Sequence, residues 1–255
     1  MNNKILPFFL LFSVLTGCKK EIPLIFSSET FTEESLDICR NVACPEITIN
    51  YVEAIGTTEV SERINKRIQK FIIESLNFDE ESSKAKNITE ASEVFIKTYR
   101  LHSAEFPDMA AEYFAQINVS ENYSSETLIS IELKNYLYTG GAHGYGSTTF
   151  LNIDPQTGDT FPSEAIIKNI DDFTNFAEKK FKEANSIPQN DPVNSTGFWF
   201  EDDTFYLPET LGFTRDSIIL LYNQYDIASY AAGPIEVKIS LEDAKDFLTF
   251  ELPYN

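Results

Sequence analysis

The sequence predicts an α+β fold of mainly antiparallel sheets packed with helices, arranged as two sequential subdomains. Three observations lead there. Alternation of apolar and polar residues comes in neighbouring runs rather than in regular strand–helix alternation. Helical spacing is confined to a few segments that begin at Thr or Asp and stop near Pro or, for the first, at the polar stretch Asp79 to Lys86. After a leader and a polar tether, a little over 200 of the 255 residues remain, enough for one large domain or two small ones sharing a core.

The first residues read as an export signal. Lys4 supplies a positive start, Ile5 to Val14 form an apolar stretch within the usual length of about 7–15 residues, and Leu15-Thr16-Gly17-Cys18 closes it. A bilayer span needs about 20 apolar residues, so this stretch is too short to be one. Small residues before a cysteine are the pattern that signal peptidase and diacylglycerol transfer require. Cys18 is therefore the expected lipidation site, carrying palmitate-type acyl chains and placing the mature chain in a bacterial cell envelope, on the periplasmic or outer-membrane side. Plain secretion with an incidental cysteine is the alternative. Residues 18–44 are read as a lipidated tether, Ser/Thr/Glu-rich and without a clear period from Lys19 to about Leu36.

Charge narrows the partners. The chain has 20 basic and 40 acidic residues, and because residues 1–17 hold only Lys4, the mature form carries a formal charge of −21. Nucleic acid and anionic headgroups are disfavoured, since phosphate binding depends on Lys and Arg. A cationic partner is attracted, although solubility alone also accounts for the charge. Cys39 and Cys44 form a close pair which, outside the cytoplasm, is expected to close as a small disulfide loop, with two free thiols as the alternative. With only His102 and His143 in the chain, a four-ligand zinc site is not expected, and no cofactor is implied.

From Glu46, Ile47, Ile49 and Tyr51 alternate with Thr48 and Asn50 as a half-buried strand does. Thr57-Thr58 then caps a helix with Val60, Ile64, Ile68, Phe71 and Ile72 on one stripe. A second helix is expected from Thr89, as N-cap, to about Phe106, ahead of Pro107. Two long alternating runs follow, Glu112 to Tyr123 and Thr127 to Tyr138, and the second slips near Asn135 as a bulged meander would. A third strand from about Ser147 to Ile153 ends in the turn Asp154-Pro155-Gln156-Thr157-Gly158, after which Phe161 resumes pairing. A helix capped by Asp171 or Asp172, with Phe173, Phe176, Ala177 and Phe181 inward, opens the later half. Phe205 to Leu207 and Ile218 to Tyr222 read as strands flanking a turn around Gly212, and Ile235, Val237 and Ile239 mark the last strand before a short helix at Leu241. The expected division is residues 45–146 and 147–255.

Two segments stand out. Tyr138 to Gly146 holds Gly140, Gly141, Gly144 and Gly146, without the Lys and Ser/Thr of a phosphate loop or the dinucleotide fingerprint. It reads either as a turn and bulge between strands or as a contact loop, with His143 donating a hydrogen bond and Tyr145 as anchor. Tyr222 to Pro234 holds Tyr222, Tyr225 and Tyr230 before small residues and Gly-Pro, which suits core packing or recognition.

Gly140-Gly141-Ala142-His143-Gly144, followed by Asn152-Ile153-Asp154, Thr157-Gly158, Phe205-Tyr206-Leu207 and Tyr225-Asp226-Ile227-Ala228-Ser229-Tyr230-Ala231-Ala232-Gly233-Pro234, resembles the RsiV/PdaC-type envelope module over about Pro45 to Leu248. Ser229 stands where most relatives carry Pro. The resemblance implies an N-terminal and a C-terminal half. In RsiV-like proteins the module is the outer part of a transmembrane anti-sigma factor and binds lysozyme; in PdaC-like proteins it precedes a polysaccharide deacetylase. This sequence shows neither a transmembrane helix with a sigma-binding part nor a deacetylase domain. The expectation is a non-enzymatic lipoprotein that binds a lysozyme-like cationic protein or a cell-wall glycan. The rivals are a glycan hydrolase drawing on Asp154, Asp202 or Asp226, which would need two carboxylates about 5–10 Å apart, and a structural envelope component. No Ser-His-Asp or Cys-His arrangement accompanies His143.

Overall fold

A computed structural model describes residues 24–77, 84–107 and 111–250. Cys18 and the apolar leader lie outside the described residues. Among these, no helix is long and apolar enough to cross a membrane.

The N-terminal half is one five-stranded sheet with two helices on it. Strands β1 (Phe26–Thr32), β2 (Glu46–Ala54), β3 (Phe114–Ser124), β4 (Ile129–Tyr138) and β5 (Tyr145–Ile153) lie side by side in chain order. All neighbours are antiparallel except β2 and β3, which are parallel. A parallel pair needs a crossover, and α1 (Glu59–Ser75) and α2 (Ile88–Glu105) supply it. Thr58 caps α1: its side chain accepts from Ser61 N–H at 3.2 Å, while the Ser61 hydroxyl accepts from Thr58 N–H at 3.1 Å. Ile64, Ile68 and Ile72, one turn apart, are then buried against the sheet with Ile47, Ile49 and Ile117.

Residues 26–32 do not belong to a free tether. They form β1, paired along its length with β2, Phe31 opposite Ile49. An edge strand has one paired side and two half-exposed faces, and Phe26 and Phe31 fall on opposite faces, so no apolar alternation marks it. Cys39 and Cys44 are joined in a disulfide just before β2, and Arg100 of α2 donates to Ile38 O at 2.8 Å, fastening that loop to the helix. The cap of α2 is Asn87 rather than Thr89: its side chain accepts from Glu90 N–H at 2.8 Å and so starts the helix earlier. The expected slip at Asn135 is not a bulge either. The register irregularity lies across the pair, between Glu121 and Tyr123 of β3. Asn135 breaks the alternation because its amide is used inward, accepting from Ser147 N–H and donating to Ser75 Oγ at 3.0 Å at the end of α1.

The C-terminal half places the one-turn α3 (Ser163–Ile166) and α4 (Ile170–Ala184) before a three-stranded antiparallel sheet of β6 (Leu211–Phe213), β7 (Ser217–Tyr222) and β8 (Ile235–Ser240), closed by α5 (Leu241–Ala244). Asn169, not Asp171 or Asp172, caps α4, accepting from Asp172 N–H and holding the Asp172 carboxylate with its own amide at 2.6 Å. Phe173, Ala177 and Phe181 are buried, and Phe181 packs edge-on against Phe200 and Tyr222. Burial pushes the Tyr222 phenol far above its usual range, and its hydroxyl donates to Tyr206 O at 2.6 Å. That bond and the burial of Phe205 fix residues 205–207 as an irregular segment rather than a strand.

The two halves share a seam at β5 and β6, so the expected division after residue 146 falls inside a strand of the first sheet. Gly212 lies within β6 rather than in a turn, because the Phe150 ring sits where a side chain would go: a Cβ there would be 2.5 Å from Phe150 Cε1. Around this contact, Thr210 Oγ1 accepts from Phe150 N–H, Asn152 donates to Leu211 O at 2.8 Å, and Ser130 Oγ accepts from Phe213 N–H.

Gly212→Ala should therefore cost about 1–3 kcal/mol, the usual range for overpacking, read as a lowered midpoint in urea; an unchanged midpoint would mean that Phe150 yields freely. Opening the Cys39–Cys44 loop by the double serine substitution should remove about 2 kcal/mol by loop-closure entropy, measured the same way with the parent protein under non-reducing conditions.

Candidate functional site

The two segments singled out by the sequence meet in space, one from each half. Residues 139–144 connect β4 to β5, and residues 223–234 connect β7 to β8. The first loop is pinned by Tyr136, whose ring lies where side chains at two glycines would be: a Cβ at Gly144 would be 2.7 Å from Tyr136 Cζ, and one at Gly146 would be 2.9 Å from Tyr136 Cδ2. Phe114 stacks on the far side of that ring at 5.6 Å. Gly140 and Gly141 shape the turn itself, and Tyr138 donates to Gly141 O at 2.9 Å.

The loops are joined through His143, Gly144 and Tyr230. The imidazole of His143 stacks on the Tyr230 ring at 3.7 Å and 20°, and the Tyr230 hydroxyl donates to Gly144 O at 3.0 Å. His143 Nδ1 lies 3.0 Å from that same carbonyl oxygen. The Tyr136 phenol, hydrogen-bonded to that of Tyr230 and partly desolvated, is held above its usual titration range. Asn223 makes a second joint, accepting from Thr148 N–H at 2.7 Å and donating to Thr148 O at 3.0 Å, so that one side-chain amide pairs with the edge of β5 as a strand would.

Asn223 also closes a tight turn. Its N–H donates to Asp226 Oδ2 at 2.6 Å, and Asp226 N–H returns to Asn223 O at 3.1 Å. Tyr225, between them, is forced to φ 73°, a left-handed conformation rare for an aromatic residue. It projects with half of its surface exposed, 5.7 Å from Tyr230. Tyr206 reaches the Asp226 carbonyl at 3.4 Å, and its phenol is held above its usual range by partial burial and by the carboxylates of Asp226 and Glu201. Trp199 donates its backbone N–H to Ile227 O, leaving its indole exposed. Glu201, Asp202 and Asp203 follow directly, all exposed.

Of the expected contact residues, His143, Tyr225 and Tyr230 come together, Gly140 and Gly141 shape their loop, and Tyr145 stands exposed at the first position of β5. Tyr206 and Asn223 lie inside segments the sequence marks but without a role assigned there, and Trp199 and Tyr136 lie outside them; the one tryptophan of the chain, beside an acidic triplet, is the available signal. Two of the carboxylates considered for hydrolysis are used locally, while Asp202 is exposed between Glu201 and Asp203. Asp154 accepts from Gln156 N–H at 2.8 Å in the turn after β5, while Asp226 closes its own turn near Thr148. Six residues of extended chain, about 20 Å, separate positions 148 and 154, so Asp154 and Asp226 do not form a glycosidase pair.

Residues 38–145 match the family model described as deacetylase PdaC, and residues 159–242 match that of a protein of unknown function, DUF3298. No curated protein matches the chain. The fold is similar to the crystal structure of a DUF3298 family member from Bacteroides fragilis, with 22% identity and a TM-score of 0.67 over 89% of this chain and 94% of that one. It is likewise similar to a DUF3298 family protein from Pseudomonas aeruginosa, with 18% identity and a TM-score of 0.60 over 92% and 99%. The two matches, in this order on one continuous fold, are consistent with a PdaC/RsiV-like two-part module, a PdaC-type half followed by a DUF3298-type half.

Proposed function

We propose that the protein is a non-enzymatic lipoprotein of the cell envelope, anchored through Cys18, whose joined loops bind a cationic protein of the lysozyme kind. One observation carries this reading: exposed Trp199, Tyr206 and Tyr225 stand in one region with the carboxylates of Glu201, Asp202, Asp203 and Asp226. Aromatic rings with an apolar body and a polar tip are the usual anchors of protein interfaces. Acidic groups beside them steer a basic partner and supply ion pairs at the rim. The overall formal charge of −20 acts in the same direction.

Binding to lysozyme should weaken as salt rises, with association slowed roughly tenfold between low and physiological ionic strength, measured by biolayer interferometry. Tyr225→Ala should cost about 2 kcal/mol of affinity, and Glu201→Lys should slow association more than it hastens release. No detectable binding at low ionic strength would remove the cationic-protein reading, and salt-indifferent capture of peptidoglycan fragments would replace it with a glycan.

A further inference from the structure

We infer that the end of the first sheet bearing Ile25 and Ile55 rests on the bilayer, so that the aromatic and acidic loops face away from the membrane. The inference rests on the reading that Cys18 is lipidated, and it adds an orientation which that reading does not contain.

The topology sorts the loops to two ends of the sheet. Because β2 runs with β3 and against β1, and β4 runs against both β3 and β5, one end collects Phe26, Ala54, Ser124, Ile129 and Ile153. The other end collects Phe114, Tyr138 and Tyr145, and with them the His143 loop. The ten residues of β4 span that length, about 30 Å.

At the first end, Ile55 N–H donates to Ile25 O at 2.7 Å, which continues the β1–β2 register by one pair. Directly opposed residues of an antiparallel pair carry their side chains on one face, about 5 Å apart. Both isoleucines are 58% exposed, so two large aliphatic side chains stand together in water on a strongly acidic protein. They also stand where the tether arrives. Seven residue steps separate Cys18 from Ile25, at most about 25 Å of chain, so a lipid in the bilayer keeps this tip within reach of the interface. The His143 loop, a strand length further on, is not held there.

Charge at this end is compatible with the same orientation. Next to the isoleucine pair come Gly56, Thr57 and Thr58, all uncharged. On the loop that packs against α1 at this end, Asp159 is held by Arg63 at 2.8 Å and Arg67 at 3.8 Å, and Gly158 lies against Val60. Glu59 and Glu62 in the first turn of α1 and Glu126 in the β3–β4 turn stay exposed, which a zwitterionic surface tolerates. The opposite face carries Glu201, Asp202, Asp203 and Asp226 around its aromatic rings, a composition that attracts a basic protein. The partner thus approaches from the side away from the anchoring membrane, and a second protein embedded in the same leaflet is excluded.

The test uses the full lipidated protein reconstituted in phosphatidylcholine vesicles with brominated or plain acyl chains. The only tryptophan is Trp199, so the parent protein reports on the outer face and should emit equally in both. The Ile55→Trp, Trp199→Phe protein should lose about half of its emission in brominated vesicles, since indoles settle at the interface. Ile25→Trp in the same background gives an independent second reading. Flotation separates the two ideas. Protein that fails to float with vesicles overturns the anchoring and this inference with it. Protein that floats, yet shows equal emission from both isoleucine positions in the two lipids, or quenching of Trp199 in the parent, overturns the orientation alone.

Discussion

The site depends on a contact remote from any aromatic ring of its own, the approach of β6 to β5. Residues 139–144 belong to the first sheet and residues 223–234 to the second, so their relative position is set wherever the halves are locked. The lock is the Phe150 ring over Gly212, flanked by hydrogen bonds from Asn152 to Leu211, from Phe150 to Thr210 and from Phe213 to Ser130. A ring on bare backbone allows one distance and one direction of approach, while the polar bonds fix the register along it. Movement by one residue along β6 would break all three hydrogen bonds, and His143 would lose its stack on Tyr230.

The same contacts solve a second problem. A five-stranded sheet has two edges, and an open edge invites pairing with another chain. On β5 the outward groups are taken up in turn by Asn223 at Thr148, by Thr210 at Phe150 and by Phe161 at Asn152. The C-terminal half thus covers the edge with side chains and a returning segment rather than with a sixth strand. Leaving the ladder there frees β7 and β8 to form their own sheet, and it places the turn of Asn223 beside the glycine loop.

The sequence made the long-range alternation legible and hid what depends on a neighbour. Ile47 and Ile49 in β2, the Ile64–Ile68–Ile72 stripe of α1 and Ile235 to Ile239 in β8 carry their own period, and each is found in the element expected. Strand β1 was hidden because Ser27, Ser28, Thr30 and Thr32 give it no apolar face and its partner alone defines it. Gly212 looked like a turn because a glycine cleared for Phe150 and a glycine needing a left-handed turn are the same letter. The glycine loop and the tyrosine loop were both visible as unusual segments. That they meet was not, since it follows from the seam and from Asn135, whose inward amide looked like a break in pattern.

Strain gives the loop face its last property. Three of the five non-glycine residues with left-handed φ among the described residues are Asp202, Asp203 and Tyr225, all in the exposed acidic and aromatic region. Asp tolerates that conformation, but for Tyr225 the cost is of order 1–3 kcal/mol. It persists because Asn223 and Asp226 close the turn from both sides and because Asn223 is itself held by two bonds to Thr148. The turn fixes the backbone from which the ring projects, and the ring itself stays half exposed, 5.7 Å from Tyr230. Tyr225 thus stands at a fixed place in the exposed acidic and aromatic region, held there by the same Asn223 that ties the second half to the edge of β5.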